Sequence, residues 1–240
     1  MGSETRWPIS DSVPSSQKWA MLRLLLLLPR CNSWTLATPY FKPPAWLRDI
    51  LARQSQHPNP PRPSTTCNGS IITASAEAMS FYGAKGIAGY IPRAFGRELA
   101  KFSHRLTDSK DSVAGKSISL FEWQARKLSW EPRWTFHGKG WWLNNVDAGD
   151  CVCKRDGQGK VSMTLIGSSN YGERSFKHDL EVDVLIVTTD KELKSRLHAE
   201  EQNILSRGKR RDEMSSRLGW LETAVIVLLM WIINLLGLSI

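Results

Sequence analysis

The stretch Phe136-His137-Gly138-Lys139-Gly140 sets the expectations for the whole chain. Residues two apart in a β-strand point to the same side, so His137 and Lys139 are expected to project together into one site. An imidazole beside a fixed ammonium suits phosphate chemistry, because the lysine can hold anionic oxygens while the histidine attacks phosphorus or protonates a leaving oxygen. The stretch therefore predicts a phosphate-handling site on a strand.

A Gly-Ser-x-Asn loop over residues 167–170 follows the apolar run 161–166 further along the chain. A strand that ends in such a loop presents hydroxyl and amide groups, here on Ser168 and Asn170, which can donate hydrogen bonds to the same phosphate. The two stretches together favour a phosphodiester substrate.

The H-x-K pattern with a downstream G-S-x-N resembles the signature of the phospholipase D superfamily. Within it, HGKGWW (137–142), LIGSSNYGERS (165–175) and HDLEVDVLIVT (178–188) resemble the second catalytic half of the mitochondrial phosphatidylglycerophosphate synthase family. Upstream, 71–77 and 83–92 resemble that family's linker between halves, and 36–41 weakly resembles the strand before the linker. The resemblance therefore covers about residues 71–205, with a fainter extension back to about residue 35.

The resemblance implies an α/β fold, namely one half-unit of a phospholipase D-like α-β-α sandwich with a C-terminal hydrophobic helix added. The residues agree, because strand-like and helix-like segments alternate along the chain. Strands are predicted at 70–75, 117–123, 133–143, 161–166 and 181–188, and helices at 43–51, at 92–105 and after Thr188.

Composition divides the chain into parts. Residues 1–34 are basic and rich in serine, which is typical of a targeting or poorly ordered segment. Residues 35–69 hold a partial strand and helix followed by a proline-rich linker, and residues 70–210 hold the catalytic half with the H-x-K motif.

Residues 221–240 are predicted to form a transmembrane tail. From Thr223 to Ile240 no residue is charged, which is about the shortest length that spans a bilayer as a helix. Basic residues over 207–217 precede it, as expected for a region that stays on the side of negative potential. A buried terminal helix is the alternative.

The formal net charge is +9, and the excess lies upstream of the motif. Residues 1–130 hold 17 basic and 8 acidic side chains, whereas 131–240 hold 15 of each. Such an excess attracts anionic lipid or nucleic acid. Because the lipid-synthase blocks extend beyond the shared motif, membrane lipid is the expected partner and nucleic acid is not. The four cysteines are too few and too irregularly spaced for a disulfide framework or a zinc site.

The reaction implied by the resemblance is a phospholipid-synthesis step of the cardiolipin pathway at the mitochondrial inner membrane. The implied substrates are CDP-diacylglycerol and glycerol 3-phosphate, and the products are phosphatidylglycerophosphate and CMP. Two H-x-K halves of the superfamily meet at a pseudo-twofold axis, where one histidine becomes phosphorylated and the other protonates the leaving group. Neither a cofactor nor a metal is implied.

Individual roles follow from the same resemblance. Because the C-terminal half usually supplies the acid, His137 is expected to be the proton donor. Lys139 and Asn170 are expected to bind phosphate oxygens, and Ser168 to shape the pocket.

Arg174 and Glu181 lie in an Arg-Ser-x-x-x-Asp-x-Glu pattern. By the resemblance they are expected to support the site, since a carboxylate can orient a catalytic histidine and stabilise its cation. The superfamily's usual aspartate five residues after the lysine is replaced by Asn144, which departs from the pattern.

The other histidines, His57, His104, His178 and His198, do not begin a second H-x-K motif. The chain therefore holds one half-site, and the expected partner is the missing first catalytic half or a second copy of the chain. Two alternatives stay open: a catalytically inert, membrane-tethered half-domain, and a homodimeric phosphodiesterase or nuclease with a single motif.

Overall fold

The computed structural model describes residues 16–27, 31, 33–56, 68–107, 118–125, 134–144, 160–211 and 228. The predicted transmembrane tail lies outside these residues, apart from Leu228. Within the described residues, no helix is long and apolar enough to cross a bilayer.

The centre of the structure is a mixed seven-stranded sheet in the order β6-β5-β4-β1-β2-β3-β7. Strand β1 pairs parallel with β2, and β2 parallel with β3, whereas the remaining neighbours are antiparallel. The strands are β1 (Ser33–Ala37), β2 (Asn68–Ala74), β3 (Ile118–Trp123), β4 (Gly140–Asn144), β5 (Val161–Gly167), β6 (Asp183–Val187) and β7 (Gly208–Arg210).

Helices cover both faces of the sheet. They are α1 (Ser16–Leu27), α2 (Ala45–Gln56), α3 (Ile91–Thr107), α4 (Glu173–Lys177) and α5 (Lys191–Leu205). Buried side chains of α1, α2 and α3 share one core cluster with Trp34, Leu36 and Trp141 of the sheet. Leu197 of α5 belongs to the second cluster, with Trp142. The prediction of an α/β fold is therefore confirmed.

The segment 1–34 contributes to the core through α1. Met21, Leu24 and Leu25 of this helix are buried against the sheet. A targeting role for residues 1–34 stays a prediction.

The predicted element boundaries differ from the structure by a few residues, and most of all at the start of β4. The strand predicted over 133–143 begins only at Gly140, because the Phe136 N–H upstream donates to the Ala78 carbonyl (2.9 Å) and not to a neighbouring strand. Helix α5 begins at Lys191, since the Asp190 carboxylate accepts the Leu193 N–H at 2.7 Å and caps the helix.

Most of the described tryptophans near the motif pack in the core. Trp123, Trp141 and Trp142 are buried, and only Trp134 is largely exposed among the described tryptophans between positions 123 and 142. The three buried indoles stabilise the sheet. Of the four described tryptophans between positions 123 and 142, only Trp134 is exposed enough to contact lipid.

The register brings several strand ends together along one edge of the sheet, an edge that is formed by strand ends and not by an outer strand. Gly140 at the start of β4 pairs with Ala37 at the end of β1 and with Ile166 near the end of β5. Gly167 pairs in turn with Asp183 at the start of β6. Residues just beyond these pairs are therefore neighbours in space, although they lie far apart along the chain.

Candidate active site

His137 and Lys139 lie at this sheet edge, immediately before β4. The Lys139 ammonium nitrogen is 3.4 Å from His137 Nδ1 and donates to the His137 carbonyl oxygen at 3.2 Å. His137 is exposed and Lys139 is half-buried. The two side chains predicted to share a site are thus in contact, even though the segment that carries them precedes the strand.

The surroundings change the proton affinity of both groups. Partial burial, and then the neighbouring Lys139 ammonium, hold the pKa of His137 below its usual value. Burial also lowers the pKa of Lys139, while the negative charge of Glu181 opposes that shift. The imidazolium at this position is therefore a stronger acid than that of a free histidine, and neutral His137 is more populated at a given pH.

Aromatic side chains position the motif. Phe136 is buried and stacks on Trp123, with ring centroids 5.4 Å apart. The Tyr40 ring meets His137 edge to face at 6.0 Å, and the Tyr40 hydroxyl is 3.1 Å from the Ser80 hydroxyl. Sequence reasoning assigned no role to Tyr40 or Ser80, because nothing local connects either of them with the H-x-K motif.

Ser168 and Glu181 form the wall of the site beside Lys139. The Ser168 hydroxyl donates to Glu181 Oε2 and accepts the Val182 N–H at 3.0 Å. The Ser168 N–H donates to the Val182 carbonyl at 3.0 Å. The Glu181 carboxylate is therefore held by the Ser168 hydroxyl, and its negative charge acts on the Lys139 ammonium.

Asn170 lies in a loop that its own backbone contacts hold in place. Its N–H donates to the Ser175 hydroxyl at 3.2 Å, and its carbonyl accepts the Thr38 hydroxyl at 2.9 Å. The side-chain oxygen is buried and has no hydrogen-bond partner among the described residues. Since buried polar groups are normally satisfied, the Asn170 amide is suited to meet a ligand atom.

Two backbone features restrict the conformation of the loop that carries Asn170. Tyr171 adopts a left-handed conformation with φ of 54°, and its N–H donates to the Ser169 hydroxyl at 3.1 Å. A side chain at Gly167 would place its first carbon 2.3 Å from the Val182 carbonyl oxygen. Only glycine fits at position 167. The left-handed backbone of Tyr171 is strained, and such strain is common where a site must be held in a fixed shape.

Arg174 does not join the other site residues. It is exposed on α4 and forms an ion pair with Asp179, with Nε 2.9 Å from Oδ1. The hydrogen bond to Asp179 raises the pKa of Arg174. A role for Arg174 in orienting His137 stays a prediction.

Asn144 lies at the opposite end of β4 from His137 and Lys139. Its amide nitrogen donates to both oxygens of Glu201, at 3.1 and 3.2 Å, and Thr35 donates to the same carboxylate at 2.6 Å. His198 Nδ1 is 3.1 Å from Glu201 as well. An aspartate at 144 would oppose the Glu201 carboxylate, which explains the departure from the superfamily pattern.

Comparison with solved structures shows the class of fold. The chain shares its mixed α/β fold with phosphatidylserine synthase from Haemophilus influenzae, with a TM-score of 0.63 at 18% identity over 94% of this chain and 44% of that one.

Sequence comparison gives the particular relatives. The chain is 33% identical over 208 residues to the CDP-diacylglycerol–glycerol-3-phosphate 3-phosphatidyltransferase of Saccharomyces cerevisiae, covering 83% of this chain and 36% of the relative. The human mitochondrial enzyme of the same name is 34% identical over 143 residues, covering 60% and 22%. No family model matches the chain. The chain is thus a homologue of these phosphatidyltransferases and spans about a third of the length of its yeast relative.

Proposed function

We propose that this chain supplies the acid-donating half-site of a CDP-diacylglycerol–glycerol-3-phosphate 3-phosphatidyltransferase. The observation that carries the proposal is the contact between His137 and Lys139, beside the Ser168–Glu181 pair, in a homologue of these enzymes. Phosphate chemistry needs a fixed cation and a proton-transfer group on the same phosphorus, and this sheet edge provides both.

The first chemical step transfers the phosphatidyl group to a histidine of the other half-site. That histidine attacks the phosphorus of CDP-diacylglycerol, the bond to CMP breaks, and His137 gives its proton to the departing CMP oxygen. Lys139 and Asn170 hold the phosphate oxygens as charge develops on them. The depressed pKa of His137 makes its cation a stronger acid at the moment of transfer.

The second step reverses the proton movement. The hydroxyl of glycerol 3-phosphate attacks the phosphohistidine, its proton passes to neutral His137, and phosphatidylglycerophosphate leaves. Ser168 and Glu181 keep Lys139 in place through both steps. In this proposal Arg174 acts on the loop through Asp179 and not on the substrate directly.

The partner is proposed to be the missing first catalytic half, with a second copy of the chain as the alternative. One H-x-K motif cannot place a nucleophile and an acid on opposite sides of the phosphorus. The chain spans 36% of its yeast relative, which leaves room for the other half. Val184, Leu185 and Val187 on β6, an edge strand of the described sheet, are more than half exposed, and Val184 follows Asp183 at the site end of the strand. Such an apolar edge suits a protein partner.

The location is proposed to be the mitochondrial inner membrane, with 221–240 as a membrane-inserted tail. The human relative is named mitochondrial, and the proposed phosphatidyl donor is a membrane lipid. Deleting 223–240 is expected to move the protein from the carbonate-resistant pellet to the supernatant, because about 18 apolar residues insert stably. An unchanged pellet would place the attachment elsewhere.

The deciding experiment is a chimera in which this chain replaces the homologous part of the yeast enzyme. We expect labelled glycerol 3-phosphate to be converted to phosphatidylglycerophosphate by the chimera but not by its His137→Ala variant. The purified chain alone is expected to be inactive. Activity of the chain alone that depends on His137 would establish a homodimer, whereas a folded chimera without activity would favour the inert half-domain.

A further inference from the structure

We infer that the loop over residues 79–90, together with Trp134, docks on the surface of an anionic lipid bilayer and holds the His137 edge of the sheet there. This docking face comprises Phe81, Tyr82, Ile87, Tyr90 and Trp134. The inference rests on the proposed function, because it names the surface on which that function would take place. The observations that support it do not depend on catalysis.

The loop has a defined shape that presents its apolar side chains. Gly83 and Gly86 are left-handed, with φ of 75° and 66°, and a first side-chain carbon at either would meet nothing within 4 Å. At Gly89 the same atom would lie 2.4 Å from the Ala84 carbonyl oxygen. Turn hydrogen bonds run from Tyr82 N–H to the Met79 carbonyl and from Ala84 N–H to the Phe81 carbonyl, each 3.1 Å.

The side chains that the loop exposes are large and apolar. Ile87 is 62% exposed, Tyr82 43% and Phe81 39%, and Trp134 is 44% exposed. Several large apolar side chains exposed within a few residues of one another on the same loop indicate an interaction surface. Aromatic rings with one polar edge favour the boundary between headgroups and acyl chains, which is where tyrosine and tryptophan collect in membrane proteins.

The charges around the loop favour an anionic surface. Between Glu77 and Glu98 the chain holds Lys85, Arg93 and Arg97 and no acidic residue. The Arg93 guanidinium lies 5.9 Å from the centre of the Tyr90 ring. Cations beside exposed aromatics are attracted to anionic headgroups while the rings enter the interface.

The exposed apolar strand β6 gives a useful contrast. It carries Val184 and Val187, but the acidic residues Glu181 and Asp183 adjoin it. Acidic side chains would be repelled by an anionic bilayer, so β6 suits a protein partner. Residues 78–97, which carry most of the docking face, hold no acidic residue, and this difference favours lipid over protein as its occupant.

The docking face is joined directly to the candidate active site. Ala78 and Met79, at the base of the loop, are buried, and the Ala78 carbonyl accepts the Phe136 N–H at 2.9 Å. Tyr40 contacts Ser80 on one side and the His137 ring on the other. A loop seated at the headgroup level therefore brings His137 to the depth at which phospholipid phosphates lie.

The test measures binding of the full chain to vesicles of phosphatidylcholine with 30% phosphatidylglycerol, and to vesicles of phosphatidylcholine alone, with His137→Ala present so that no chemistry occurs. We expect the Phe81→Ser/Ile87→Ser variant to bind the anionic vesicles about tenfold or more weakly than the parent, because apolar surface that enters the interface is lost. The matched control, Val184→Ser/Val187→Ser on β6, is expected to bind them as the parent does. Binding through other segments adds equally to both variants and does not change the comparison.

Hydrogen exchange of the unsubstituted chain locates the contact without any mutation. We expect peptides over 79–90 to gain protection on anionic vesicles and peptides over 180–187 to gain none. An unprotected loop, or unchanged binding of the folded Phe81→Ser/Ile87→Ser variant to anionic vesicles, would overturn the inference. Protection of 79–90 by the first half of the yeast enzyme, and not by vesicles, would assign the face to a protein. Loss of docking with His137-dependent transfer intact in the chimera would leave the proposed function standing.

Discussion

The two ends of β4 use polar side chains in opposite ways. Before the strand, exposed His137 and half-buried Lys139 place two nitrogen groups 3.4 Å apart, and the Lys139 ammonium disfavours the charged form of His137. At the far end, Asn144 and Glu201 are each 2% exposed, and the carboxylate accepts hydrogen bonds from Asn144 and Thr35.

The difference separates function from stability within one strand. A buried carboxylate must be fully hydrogen-bonded, and removal of its donors destabilises the fold. Two nitrogen groups at an exposed strand end contribute little to folding, but a cation held there suits an anionic ligand. Substitutions at the first end should therefore change activity, and substitutions at the second should change the free energy of unfolding.

The largest effect is expected for His137→Ala in the chimera with the yeast enzyme. Loss of a positioned acid should lower transfer on the order of 10²- to 10⁴-fold. Since His137 is exposed, the free energy of unfolding should change by less than about 0.5 kcal/mol. CMP release from CDP-diacylglycerol and urea unfolding measure the two quantities.

His178→Ala is the matched control for that substitution, because His178 is an exposed histidine at the end of α4. It should keep transfer within a few-fold of the parent. Equal loss in both variants, or a folded His137→Ala variant with parental transfer, would contradict the division between the two ends.

The second-largest effect, a loss of stability, is expected for Asn144→Asp, which restores the aspartate usual in the superfamily. We expect it to lower the free energy of unfolding at pH 7.5 by about 3 kcal/mol, because two buried carboxylates would then face each other. Above about pH 5, one of the two buried carboxyl groups should be protonated in the folded variant, whereas both are ionised in the unfolded chain. The free energy of unfolding that the variant has lost relative to the parent should therefore shrink as the pH falls from about 7.5 to about 5. Urea unfolding at the two pH values measures this.

The control is the double variant Asn144→Asp/Glu201→Gln, which exchanges the carboxylate and the amide. It should recover most of the lost stability, since one donor and one acceptor again meet. A single Asn144→Asp variant as stable as the parent would show that Glu201 does not govern the residue at 144.

The sequence predicted one end of β4 better than the other. The pairing of His137 with Lys139 follows from residues two apart, a local relation that any extended segment satisfies. The strands near 118–123, 161–167 and 183–187 were equally visible, because their apolar runs are local. Asn144 and Glu201 are separated by 57 positions, and only the packing of α5 on the sheet brings them together.

The same reason explains the site residues that the sequence did not reveal. Tyr40 and Thr38 reach the site because β1 pairs with β4, and Ser80 reaches it because β2 lies beside β1. Arg174 was expected with the catalytic group from its place in a family pattern, yet its nearest charged partner is Asp179, five residues away. Contacts across the sheet depend on register, which no single segment specifies.

The smallest expected effect is a shift in the proton affinity of His137. In Lys139→Met the ammonium is lost while a side chain of similar length remains, so the pKa of His137 should rise. It should stay below the ordinary value of a free histidine, because partial burial is the larger of the two causes and is retained. An NMR titration of the ring protons in the purified chain measures the shift, and Lys139→Arg serves as the control because it keeps the positive charge. An unchanged His137 pKa in Lys139→Met, or an equal rise in Lys139→Arg, would show that the ammonium does not act on the imidazole. The two ends of β4 would then differ only in how deeply their side chains are buried.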